Sequence, residues 1–151
     1  MEDIIEKFFF DSDFGYRFFN IRQGIKQSIR RALAEYRIDI TPEQLFTLKI
    51  LTIADGLTQT ELADICDKNK PNITRILDNL SRKGFVERHT DPNDRRCFRI
   101  SITSKGRALF EELRPVVEQV FRKAFRGITK AEFTLLNEVQ DKILRNLTGE
   151  S

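Results

Sequence analysis

Apolar residues fall in two rhythms along this chain. From Phe14 to Tyr36 the positions Phe18, Ile21, Ile25, Ile29, Leu33 and Tyr36 recur at spacings of three and four, which puts them on one face of a long first helix. Thr41-Pro42-Glu43-Gln44 then supplies an N-cap threonine, a proline whose missing N–H costs nothing in a first turn, and a glutamine at the third helical position. A second helix carrying Leu45, Phe46, Leu48 and Leu51 opens there and ends before Gly56. Thr58-Gln59-Thr60-Glu61 is a further capping box, leading a short third helix with Leu62, Ala63, Ile65 and Cys66. Asn69 caps a fourth, which tolerates Pro71 in its first turn, buries Ile73, Ile76, Leu77 and Leu80, and stops before Gly84.

The period then shortens to two. Phe85-Val86-Glu87-Arg88-His89 and Cys97-Phe98-Arg99-Ile100-Ser101-Ile102 alternate like strands, and Asp91-Pro92-Asn93-Asp94 between them is turn chemistry, so a β-hairpin is predicted. Thr103 can cap a fifth helix with the stripe Leu109, Leu113, Val116, Val117, Val120, Phe121, Ala124 and Phe125, which continues despite Pro115. Thr129-Lys130-Ala131-Glu132 opens a last helix with Phe133, Leu136, Val139, Ile143 and Leu147 on one face. The expected fold is mainly α with a small β-hairpin wing (α+β). Residues 41–103 form a mixed lobe, and residues 1–40 and 104–151 a helical region. Its two segments make little core alone, so pairing with each other and with a second copy is the economical solution.

Charge changes the picture more than composition does. At 40% hydrophobic and 32% charged residues the chain is too apolar for general disorder and belongs with globular proteins. Lys68 to Arg107, however, holds eleven cations and four acids, a net +7, while the remainder carries −4 of a total of +3. A polyanionic partner meets that distribution, not the total. The start of the chain lacks a basic, apolar and small-residue secretory pattern, and no apolar run approaches the roughly 18 residues that span a bilayer, so a cytoplasmic location without membrane attachment is expected. Cys66 and Cys97 form no metal-type pair or disulfide framework and are read as reduced thiols.

A helix, tight turn, helix and β-hairpin in that order, with the basic excess on the last three parts, is the anatomy of a winged helix-turn-helix. With its apolar face inward, the fourth helix offers Lys70, Asn72, Arg75, Asp78, Asn79 and Arg82 outward, with Thr74 beside them. Arginine bonds guanine bidentately, asparagine bonds adenine, and threonine reaches a phosphate or a thymine methyl. The hairpin tip presents Arg95 and Arg96 beside Asp94, and an arginine on a narrow ribbon can enter a minor groove, with Asp94 orienting Arg96. Thr58, Gln59 and Thr60 stand at a helix N-terminus, where free N–H groups and the helix dipole favour a phosphate.

At these residues the chain resembles the multiple-antibiotic-resistance regulator (MarR) family of winged-helix repressors. The resemblance spans nearly the whole chain. It rests on Thr41-Pro42-Glu43-Gln44-Leu45, Asp55 to Ala63, Asn72 to Leu80, Lys83-Gly84-Phe85-Val86-Glu87-Arg88, and Asp91 to Arg96 leading to Ile102-Thr103-Ser104-Lys105-Gly106. It implies a homodimer joined through its N- and C-terminal helices, bound to a pseudo-palindromic operator in double-stranded DNA and released by a small-molecule effector. It also implies recognition-helix roles for Lys70, Asn72, Thr74 and Arg75, and a wing pair at Asp94 and Arg96. Lys68 departs from the family, whose members bury an aliphatic residue there. The first helix lacks the cysteine of peroxide-sensing members, which argues against thiol sensing by that route.

Other readings are open at the same residues. Cys66 reads as a small apolar packing residue, and Cys97 lies on a wing strand with no nearby thiol. His89 is the only histidine, which excludes a His-rich zinc site and leaves at most an opportunistic set with Asp91 or Asp94. Phe8, Phe9, Phe10, Phe14, Tyr16, Phe18 and Phe19 can line an effector pocket or bury against a partner subunit. No phosphate loop, zinc spacing or Ser/His/Asp constellation marks an enzyme, and no cofactor is expected. The alternative is a winged-helix adaptor for protein contacts without specific DNA binding. Such an adaptor favours exposed apolar anchors, whereas the fourth helix turns out Lys, Asn, Thr and Arg.

Overall fold

The computed structural model describes residues 13–66, 69–91 and 97–149, with only the backbone of Asp13, Phe14 and Lys70. Lys68, Phe8 to Phe10 and the hairpin tip with Asp94, Arg95 and Arg96 lie outside the described residues. The elements in order are α1 (Asp13–Glu35), α2 (Pro42–Ile53), β1 (Leu57–Thr58), α3 (Gln59–Ile65), α4 (Lys70–Arg82), β2 (Val86–Thr90), β3 (Phe98–Ile102), α5 (Ser104–Ala124) and α6 (Lys130–Thr148). The chain divides into two compact units at Val120/Phe121.

The first unit is built by the predicted punctuation. Thr41 and Gln44 exchange bonds as a complete capping box at α2, and Thr58 and Glu61 do so at α3. Thr103 Oγ1 accepts from the Gly106 N–H at 3.0 Å and so caps α5. At the end of α4, Gly84 takes a φ of 75°, a left-handed turn open to glycine at little cost, and the Phe85 N–H returns to the Leu80 carbonyl at 2.9 Å. α1 ends the same way on a less permissive residue: Arg37 has a φ of 56°, and the Ile38 N–H bonds the Leu33 carbonyl at 3.1 Å. That turn sends Ile38 and Ile40 back into the core.

Leu33, Leu48, Leu51, Leu62, Ile73, Leu77, Leu80, Ile100 and Leu113 are essentially sealed from water. Each contributes on the order of 1.5–3 kcal/mol by burial. Only the C-terminal end of the α1 stripe takes part: Ile29 and Leu33 pack on this core, while Phe18, Ile21 and Tyr36 are exposed.

The predicted hairpin forms, and a strand that was not predicted extends it: Leu57 and Thr58 pair with Ile100 and Arg99, which makes a three-stranded antiparallel sheet in the order β1-β3-β2. A two-residue strand shows no period of its own. β2 and β3 pair from Val86↔Ile102 to Thr90↔Phe98, turning Val86, Ile100 and Ile102 inward. Cys66 is buried as expected, with its Sγ 4.0 Å from Thr47 Oγ1, and Cys97 is exposed just before β3.

The second unit is the end of α5, a turn through Gly127 and α6. Thr129 and Glu132 form the predicted box, and Gly149, with a φ of 71°, closes the helix. Phe125 stacks on Phe121 at 6.3 Å and meets Phe133 edge-on at 5.3 Å. No α6 residue is buried.

Candidate nucleic-acid interface

α4 is strongly two-faced for a local reason. Asn69 Oδ1 accepts from the Asn72 N–H at 3.0 Å, Pro71 fits the first turn, and the spacing of Ile73, Ile76, Leu77 and Leu80 places all four against the core at 9% exposure or less. The opposite face divides into occupied and open side chains. Arg82 Nη2 donates to Asn79 Oδ1 at 2.5 Å, and Asn79 Nδ2 donates to the Arg75 carbonyl at 2.9 Å. Arg88 on β2 bonds Asp78 at 2.6 Å. Asn72 and Arg75 are exposed, and among the described residues no side-chain hydrogen bond or ion pair occupies either.

α3 is tied to the middle of α4 by one contact between two predicted site residues. Gln59 Nε2 donates to Thr74 Oγ1 at 2.6 Å, which fixes the crossing of the two helices at the level of Arg75. Thr58 is consumed locally: its N–H and its hydroxyl both donate to Glu61 Oε2, at 2.7 and 2.8 Å. Those two bonds, with help from the Arg99 charge, hold the Glu61 carboxyl below the ordinary glutamate range. Thr60 is exposed beside them. Lys70 opens α4, its side chain outside the description like Asp94, Arg95 and Arg96.

Arg99, Asp55 and Asp91 organise the sheet, a role that spacing along the chain does not assign them. Arg99 donates from Nε to Asp91 Oδ2 at 2.7 Å and from Nη1 to the Gly56 carbonyl at 2.9 Å. Asp55 Oδ1 accepts from the Ile102 N–H at 2.9 Å, and its Oδ2 meets Arg107 at 3.4 Å. Asp91 reads in sequence as an exposed turn acid, yet only 7% of its side chain is exposed. Its Arg99 partner, eight residues on, is the one signal that could have found it. His89 pairs with Glu87 at 3.1 Å, and Asp91 with Arg99 at 2.7 Å. Among the described residues no three His, Cys, Asp or Glu groups are placed to share a metal, and no helix is long and apolar enough to cross a membrane.

The lobe with this open helix face is also the part that matches a family model. The model of the MarR family covers residues 40–98, from the residue before the α2 cap to the first residue of β3. The likeness to the MarR family in sequence lies in this lobe. Solved MarR structures extend the likeness well beyond it. A mutant MarR from E. coli complexed with operator DNA is 27% identical, covers 86% of this chain and 92% of its own, and superposes with a TM-score of 0.77. A MarR-family transcriptional regulator from Silicibacter pomeroyi is 26% identical over 87% of this chain and 88% of its own, with a TM-score of 0.75. A MarR transcriptional regulator from Methanosarcina mazei Go1, at 22% identity, shares the fold over 91% of this chain and 98% of its own, with a TM-score of 0.79. The mainly helical fold with its small three-stranded sheet is therefore the winged fold seen in these MarR regulators.

Proposed function

We propose that this protein is a sequence-specific DNA-binding transcription regulator, a cytoplasmic repressor rather than an enzyme, that binds a pseudo-palindromic operator as a homodimer and is released by a small-molecule effector. The observation that carries the reading is the open half of α4. Asn72 and Arg75 project from a helix whose other face is locked into the core, with Thr74 beside them held by Gln59. A rigid helix presenting uncommitted amide and guanidinium groups is what a major groove requires. Lys70, in the first turn of α4, is read as a further DNA contact, and Asn79 supports the face by holding Arg82. Thr58, Gln59 and Thr60 lie toward the phosphates, and Arg95 and Arg96, with Asp94, serve the minor groove from the wing.

The homodimer is supported by apolar surface that neither unit covers by itself. α1 exposes Tyr16, Phe18, Phe19 and Ile21, and α6 exposes Phe133, Leu135, Leu136, Val139, Leu144 and Leu147. Residues 1–40 and 104–151 are accordingly read as the dimerisation region and 41–103 as the DNA-binding lobe. The E. coli relative complexed with operator DNA supports the choice of partner over a protein-only adaptor.

The test is Arg75→Ala, measured on a duplex the protein selects from random-sequence DNA and on unselected DNA. Loss of a bidentate base contact removes roughly 1–3 kcal/mol on the selected site and clearly less on the other. Equal losses reassign Arg75 to the phosphates. A protein that selects no sequence at all returns the adaptor reading.

A further inference from the structure

The root of the wing carries a set of contacts that the groove-facing residues do not account for. By register Arg99 on β3 stands opposite His89 on β2 and opposite Thr58 on β1, so it lies at the centre of the sheet. Its guanidinium bonds in two directions, to Asp91 at 2.7 Å and to the Gly56 carbonyl at 2.9 Å. Asp91 donates its backbone N–H to the Cys97 carbonyl at 2.9 Å, and these two residues are where the chain leaves and re-enters around Arg95 and Arg96. Gly56 donates to the Ile100 carbonyl at 3.1 Å and stands two residues before Thr58, the cap of α3. One side chain thus joins the wing root to the entrance of the helix-turn-helix. The Asp91 side chain is 7% exposed and that of Arg99 is 43% exposed, so the acid depends on this cation more than the cation depends on the acid.

We propose that Arg99 is a positioning residue for DNA binding, which with Asp91 locks the wing root to the loop ahead of α3 so that the wing and α4 meet DNA as one unit. The proposal rests on the DNA-binding reading above. The fork of the guanidinium is essential to it, because an ammonium is a point charge and does not reproduce two divergent planar bonds. The competing role is a direct phosphate contact by the exposed part of Arg99, and the two roles differ in sign at Asp91. Removing an acid beside a DNA-binding surface tightens binding by simple electrostatics. Removing the acid that holds the wing root weakens it.

The experiment uses the full chain and a duplex selected by the parent protein from random-sequence DNA, with affinities taken across a salt series well below each variant's melting midpoint. Asp91→Asn and Arg99→Lys are each expected to weaken binding by roughly ten-fold, the scale of one charged hydrogen bond, with an unchanged salt slope. In a parent carrying Arg95→Ala and Arg96→Ala, both substitutions are expected to change affinity less than about two-fold, because Arg99 acts through the wing. Tighter binding by Asp91→Asn overturns the proposal. So does full affinity in Arg99→Lys with a salt slope lowered by about one in Arg99→Gln, the mark of a phosphate contact. Equal losses with and without the wing arginines overturn it as well, since they report general loosening of the fold. A parent that selects no duplex overturns the DNA reading and the proposal together, whereas a parent that binds while Asp91→Asn tightens overturns the proposal alone.

Discussion

α4 and α6 are written in the same grammar and end in opposite states. Each opens on a side-chain cap, each carries an apolar stripe at helical spacing, and each closes on a glycine with positive φ. Yet Ile73, Ile76, Leu77 and Leu80 of α4 are buried to 9% exposure or less, while Phe133, Leu136, Val139 and Leu147 of α6 remain 38% to 78% exposed. An apolar stripe therefore records that a surface must be covered without recording by what. In α4 the cover is the same chain, and the face left over is free for chemistry. In α6 the stripe stays open within its own unit, which is why the homodimer reading begins there.

The largest test of that contrast compares Leu77→Ala with Leu136→Ala. Leu77 is fully buried, so its truncation is expected to cost about 2–5 kcal/mol and to lower the melting temperature equally at every protein concentration. Leu136 is partly open in the single chain, so its loss is expected to act through assembly. Its melting temperature should fall more steeply on dilution, and sedimentation should show monomer at concentrations where the parent is paired. A concentration-independent shift for Leu136→Ala would place its cover within the chain and erase the contrast.

A smaller effect sharpens the lobe side. A Cβ on Gly106 would stand 2.2 Å from the Phe85 carbonyl oxygen and 2.9 Å from Ile102 Cγ1, because the first turn of α5 rests directly on the end of the sheet. The obstacle is backbone, so Gly106→Ala is expected to cost roughly 1–3 kcal/mol in thermal unfolding. The glycines of α6 and its approach, Gly127 and Gly149, meet nothing within 4 Å and carry no such penalty from space. If Gly106→Ala unfolds at the parent's temperature, α5 does not sit on the sheet as described.

The same residues mark how far the sequence could be read. Caps and stripes are local, so Thr41, Thr58, Asn69, Thr103 and Thr129 announced the helices, and the spacing of Ile73 to Leu80 announced which side of α4 faces out. What stayed hidden depends on pairing across the fold. Leu57 and Thr58 become a strand only because Ile100 and Arg99 lie alongside, and Gln59 finds Thr74 only once α3 crosses α4. Asp91 reads as a turn acid because Arg99, the partner against which it is buried, stands eight residues away in the chain. Among the candidate DNA-binding residues, Asn72 and Arg75 were legible as open groups, whereas the bond between Asn79 and Arg82 depends on rotamers rather than on spacing.

The smallest effect compares the two regions at matching caps. Thr58–Glu61 and Thr129–Glu132 are equivalent boxes, and in both the threonine N–H and hydroxyl donate to the glutamate carboxylate, holding its pKa below the ordinary value of 4.5. A carboxyl whose folded pKa is lowered adds stability that is present above 4.5 and is lost as the pH falls through the folded value. Both boxes therefore weaken in acid, but their helices differ in what else holds them. α3 keeps Leu62 and Ala63 in the core, whereas α6 has no buried residue in the single chain. Below about pH 4.5, amide exchange corrected for its intrinsic rate should accelerate at Glu132 and Phe133 while Leu62 stays protected. Glu132→Gln should flatten that dependence in α6 and leave α3 untouched. If Leu62 opens in step with Phe133, the caps rather than the packing govern both helices, and the contrast between the two regions fails where it should be clearest.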